Sequence, residues 1–171
     1  MSGKIDQLIN EIGSKDLAIA SNAIVRSALI LEWDAQGYLD ESVAEAFPQT
    51  DLYIHKPMDA EVSDLIYGLR NQIESLFISD ELRMSAFWAL GKSKRIEACG
   101  VILRFLSQTQ IANDFFEKTD VLRVIAAQVG NSNFLEKNLE ELKRLAKKLD
   151  LLVFSSVEEE GYRKLIINMF H

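Results

Sequence analysis

Apolar residues recur along this chain at intervals of three and four, the spacing that lays one stripe along an α-helix. Ile5, Leu8, Ile9 and Ile12 mark a short first helix that Gly13 stops. Ser14 offers an N-cap for a longer helix carrying Leu17, Ala20, Ala23, Ile24, Ala28 and Leu31, with Gly37 at its end. Val43 to Phe47 leaves room for a further turn or two before Pro48. From Pro48 to Pro57 the chain reads as a loop, because each proline resists a helix interior and turns its predecessor away from helical torsions.

Asp59 opens the clearest amphipathic helix, with Val62, Leu65, Ile66, Leu69, Ile73, Leu76 and Phe77 on one stripe. Ser79 caps the next, DELRMSAFWALGKS, which is apolar on nearly every side and is expected near the centre of the fold. Its partner carries Ile96, Cys99, Leu103 and Leu106. Leu122, Ile125, Ala126 and Val129 form another stripe that ends at Gly130. Leu135, Leu139, Leu142, Leu145 and Leu149 predict one helix with a charged outer face. Ser156 and Glu159 have the spacing of a capping box ahead of a last helix, Tyr162 to Phe170. Leu151 to Phe154 is the one strand-like run, too short to build a sheet.

Two of these helix pairs line up with each other. Asp80, Leu82, Arg83 and Ala86 fall on Asp120, Leu122, Arg123 and Ala126 at an offset of 40. Ile96, Leu103 and Leu106 fall on Leu135, Leu142 and Leu145 at an offset of 39, as Gly91 does on Gly130. With LRMSAFWALGKS as a first helix, residues 79–149 resemble a HEAT-like helical repeat, a helix pair of about 40 residues. In such a unit Ala86 lets the paired helix approach, while Leu82, Ala89 and Leu90 fill the space between repeats. The expected fold is therefore all-α: a HEAT-like, αα-hairpin, right-handed array of about eight helices. One domain is expected over 1–171, with irregular helices and an acidic loop over 1–57 and helix pairs over 58–171. The loop between Pro48 and Pro57 interrupts the period, so the amino-terminal third departs from the pattern.

Composition narrows the class. Of 171 residues 48% are hydrophobic, with only 8 glycines and 2 prolines, which excludes a disordered chain. A chain of this length buries about 70% of its unfolded surface, so a core needs no covalent staples. Cys99 is the single cysteine and cannot form an internal disulfide. No apolar run follows Lys4 and none approaches the roughly 18 residues of a membrane span, so a cytoplasmic protein without a secretory leader is expected.

Candidate chemistry is sparse. Cys99 lies on an apolar stripe and reads as a small buried hydrophobe. His55 in Tyr53-Ile54-His55-Lys56-Pro57 has no ligand or base at motif spacing and reads as a solvated loop residue; His171 is terminal. Glu158, Glu159 and Glu160 are consecutive, point in different directions and read as first-turn acids rather than a catalytic pair. No catalytic residue, metal site or cofactor is assigned. An enzyme of HEAT-like type, a lyase or DNA glycosylase with Asp114 or Glu117 at work, would need a basic groove or a chromophore-binding surface, neither of which is evident. Lys143, Arg144, Lys147 and Lys148, extended by Lys92, Lys94 and Arg95, form the one basic face. Acids interleave with it, Glu140 pairing with Arg144 at i,i+4, so a salt-bridged surface is expected instead of a nucleic-acid site.

Charge is placed unevenly. The net of −7 divides into −10 over residues 1–81 and +3 over 82–171. Between Arg26 and Lys56 there is no base, but there are Glu32, Asp34, Asp40, Glu41, Glu45 and Asp51, interleaved with Trp33, Tyr38, Phe47 and Tyr53. Carboxylates steer a basic protein and aromatics anchor it, so Glu32, Trp33, Asp34, Tyr38, Asp40, Glu41, Glu45, Asp51 and Tyr53 are the candidate partner-binding residues. In size, acidity and lack of motifs the chain is similar to bacterial immunity proteins, a resemblance of type and not of residues. That resemblance implies a non-enzymatic inhibitor that occludes the cationic active site of a toxin such as a nuclease; the acidic balance itself argues against nucleic acid and against an anionic membrane surface as partner. The alternative expectation is a HEAT-like scaffold gripping a partner in a groove over 80–150. Oligomeric state is left open.

Overall fold

The computed structural model describes residues 2–39, 56–75, 79–108 and 119–170, and the expected turn at Val43 to Phe47 and the loop from Pro48 to His55 lie outside them. The described chain is all-α: α1 (Ser2–Ile12), α2 (Leu17–Gln36), α3 (Asp59–Glu74), α4 (Asp80–Leu90), α5 (Ile96–Gln108), α6 (Thr119–Ala127), α7 (Ser132–Lys137), α8 (Leu139–Asp150) and α9 (Val157–Ile167), then a 3-10 turn, Asn168–Phe170. Among the described residues there is no strand, and no helix is long and apolar enough to cross a membrane. The helices divide into two compact units, Met1–Ser93 and Lys94–His171, so that α4 closes the first and α5 opens the second.

In the first unit α2 packs against α1, α3 and α4, while α3 also packs against α1 and α4. Ala20, Ala23 and Ala28 on α2 are buried, and small side chains there let three neighbours approach one helix. Leu8 and Ile12 of α1, Ile24 and Leu31 of α2, Leu65 and Leu69 of α3, and Phe87 and Leu90 of α4 fill the core. Gly68 of α3 lies against α1: a Cβ there would stand 3.3 Å from both γ-carbons of Ile9.

Local signals explain most boundaries, with one displaced cap. Gly37 takes a left-handed φ of 84° and its N–H bonds the Trp33 carbonyl, ending α2. Ser79 Oγ accepts from the Leu82 N–H, and Ser156 Oγ from the Glu159 N–H. Asp16, rather than Ser14, caps α2. Its Oδ1 accepts from the N–H groups of Ala18 at 2.9 Å and Ile19 at 3.3 Å, while Ser14 Oγ accepts from the Asp16 N–H in the turn before.

In the second unit α9 packs on α6 and α8, α5 packs on α6 and α8, and α7 lies against α8. Cys99, Ile102, Leu103 and Leu106 of α5 meet a core that includes Leu122, Ile125, Leu142, Leu145, Leu149 and Ile166. The stripe expected to run unbroken from Leu135 to Leu149 is two helices. Asn138 interrupts it at φ −120° and ψ 20°, and its Nδ2 donates to the Phe134 carbonyl at 2.9 Å, a local bond that competes with the helical ladder. Phe134 therefore fills the core, and Leu139 is left 42% exposed. Ile96, at the first position of α5, is exposed too.

Candidate partner-binding surface

Four of the nine expected partner-binding residues lie among the described ones, all at the carboxyl end of α2. Glu32, Trp33 and Asp34 occupy its last turns, half-buried, and Tyr38 follows Gly37 with most of its ring in solvent. Asp40, Glu41, Glu45, Asp51 and Tyr53 lie outside the described residues. The left-handed turn at Gly37 takes the chain off the helix axis, which is why Tyr38 leaves the stripe of α2 and stands exposed.

Glu32 already has a cation. The Lys92 ammonium donates to its Oε1 at 3.4 Å and lies 5.1 Å from the centre of the Trp88 ring. Lys92 thus ties α2 to the end of α4 and is mostly covered, with 17% of its side chain exposed. The expected basic face loses it: Lys92 belongs with an acid of the first unit, and sequence spacing carried no signal of that contact. A second bridge, Arg26 to Glu11 at 2.9 Å, ties α2 to α1. Beside it a shallow open cleft of about 480 Å³ is lined by Asp6, Gln7, Asn10, Glu11, Ser14 and Ile19. Glu11 spends both carboxylate oxygens inside the fold, one on Arg26 and the other on the Gln7 amide at 2.8 Å.

The basic face of α8 is likewise largely committed. Glu140 pairs with Lys143 at 3.3 Å, an i,i+3 contact in place of the expected partner Arg144. Lys148 donates to the Leu106 carbonyl at the end of α5, and burial holds its pKa below the ordinary lysine value. Arg144 and Lys147 remain exposed.

The three consecutive glutamates take three separate jobs. Glu158 accepts from the Tyr162 hydroxyl at 3.0 Å. Glu159 is buried and accepts from Ser155 Oγ at 3.0 Å and Thr119 Oγ1 at 3.4 Å. Glu160 takes a bidentate grip on Arg163 at 2.7 and 2.6 Å. That hydrogen-bonded guanidinium is the main reason its carboxyl titrates below the usual range.

Cys99 is fully buried and its thiol points at the Val124 carbonyl, 3.7 Å away. Burial pushes its pKa up to about 12, so it carries no thiolate at neutral pH and has no nucleophile's character. Among the described residues no three histidine, cysteine, aspartate or glutamate side chains gather where a metal ion could be held. Compared with protein-family models, with curated proteins and with solved structures, the chain has no match in any of the three.

Proposed function

We propose that this chain is a non-catalytic, cytoplasmic protein-binding module of the immunity type, whose acidic unit occludes the cationic site of a basic protein such as a toxin nuclease. The observation that carries this reading is where the charge falls. Residues 1–93 hold 15 acids and 7 bases, a net of −8, and residues 94–171 hold 11 acids and 12 bases, a net of +1. The division of charge in the sequence thus follows the division into compact units. A folded body with that excess attracts a cationic partner from a distance, and exposed Tyr38 next to the acidic run supplies an apolar anchor. Glu32 is already paired, because Lys92 neutralises it within the fold.

Charge reversal tests the reading against the basic protein that co-purifies with the native chain, once that protein is isolated. The triple variant Asp34→Lys, Asp40→Lys, Glu41→Lys should weaken binding at least roughly a hundredfold and flatten its dependence on salt. Glu32→Lys serves as the internal contrast. It opposes Lys92 and so lowers stability by about 1 kcal/mol, with a smaller effect on affinity than any reversal in the acidic run. Unchanged affinity and unchanged salt dependence in the triple variant would overturn the proposal.

A further inference from the structure

The carboxyl end of α2 is built against local preference. Cations stabilise a helix end of that polarity, because its last carbonyls point outward. Yet α2 has no base in its last turn and none in its own sequence after Arg26; Glu32 and Asp34 stand there instead. Proteins break local rules of this kind at the segments that function uses. The N–H of Gly37 closes the end on the Trp33 carbonyl at 2.8 Å, and Tyr38 follows directly, 62% exposed.

A cation for this end comes from another helix of the same unit. Lys92 lies two residues past the end of α4, which likewise has no base in its last turn. Its ammonium is 3.4 Å from Glu32 Oε1 and 5.1 Å from the centre of the Trp88 ring, and both groups attract a cation. With 17% of Lys92 and 33% of Glu32 exposed, the bridge is sheltered from the screening that weakens a surface pair.

Resting on the reading of the first unit as an acidic binding body, we propose that Lys92 is the positioning residue of its partner-binding end and decides where a cationic partner is received. Supplied from beyond α4, the ammonium holds the last turns of α2, so the turn through Gly37 to Tyr38 is ordered before the partner arrives. Binding then carries no cost of ordering it. The same ammonium bars the partner's cations from Glu32 and from the Trp88 face, where a second ammonium or guanidinium would meet a like charge. The exposed ring of Tyr38 is the aromatic face left to a lysine or arginine of the partner.

Hydrogen exchange and binding kinetics on the full chain test this. Lys92→Met keeps an apolar stem over Trp88 and removes the charge. Exchange of the Gly37 amide, read by NMR, should quicken at least about fivefold in this variant, with the amides of α1 unchanged. Against the basic protein that co-purifies with the native chain, dissociation should quicken at least about fivefold, while association is no slower because the unit has become more acidic. Lys92→Arg keeps a cation at both contacts and should return exchange and dissociation to the wild-type values. Tyr38→Leu keeps an apolar side chain without the aromatic face and should speed dissociation as well. Unchanged Gly37 exchange in Lys92→Met overturns the assignment of Lys92 alone. So does faster exchange with unchanged dissociation, the mark of a bridge that serves stability only. Dissociation unchanged in Tyr38→Leu overturns the placing of the partner's cation. Affinity that survives the triple reversal of Asp34, Asp40 and Glu41 overturns the acidic reading itself, and the role of Lys92 falls with it.

Discussion

Glu160 and Arg163 are a turn apart on α9, and their bidentate contact sets how that helix responds to acid. The side chains are 33% and 18% exposed, so one partner is well covered and the other is partly in water. Arg163 also reaches Asp150 at 3.6 Å, which joins the start of α9 to the end of α8. Because Glu160 titrates lower folded than unfolded, the pair adds stability above the unfolded glutamate pKa of about 4.3 and loses it as pH falls through the lower folded value. The stability difference between wild type and Glu160→Gln should therefore be constant from neutral pH to about 5 and shrink below that. Urea unfolding at a series of pH values reads it, and a difference that grows on acidification would contradict the assignment.

At the scale of elements, the legible features were those encoded within a few residues. Gly37 ended α2 because glycine alone takes its left-handed torsion without strain, and Ser79 and Ser156 capped helices because an N-cap needs only a neighbour two or three residues on. The break at Asn138 was hidden because the leucine stripe runs across it, and periodicity does not register a side chain that bonds its own backbone. Lys92 was misplaced for a different reason. It meets Glu32 across 60 residues, a contact fixed by how α2 and α4 pack and by no local pattern. Five of the nine candidate binding residues fall outside the described chain, so the acidic run remains legible as composition and its geometry is confined to Glu32 through Tyr38. The approach of Gly68 to Ile9 makes its own prediction. Gly68→Val drives two γ-methyls into Ile9 between α1 and α3 and should cost about 1–3 kcal/mol, seen as a lower denaturation midpoint with the spectrum of the folded state retained.

For the whole molecule, unequal charge on the two units predicts unequal sensitivity to salt. The net of −8 on residues 1–93 repels itself in the folded state, and added salt screens that repulsion. Residues 94–171 carry +1 and have little net repulsion to relieve. Raising ionic strength should therefore slow amide exchange in α1 to α4 more than in α5 to α9, as measured by hydrogen exchange on the intact chain. Equal slowing in both units would mean that the charge excess is already compensated within the first.

Glu159 is shared by two helices of the second unit. Its carboxylate takes a hydroxyl from Ser155, just ahead of α9, and another from Thr119, the first residue of α6 and 40 positions away. One buried acid therefore serves the beginnings of two helices. Separating α6 from α9 would strip this buried carboxylate of one of its two hydroxyl donors, which couples the two helices although α7 and α8 lie between them in the chain.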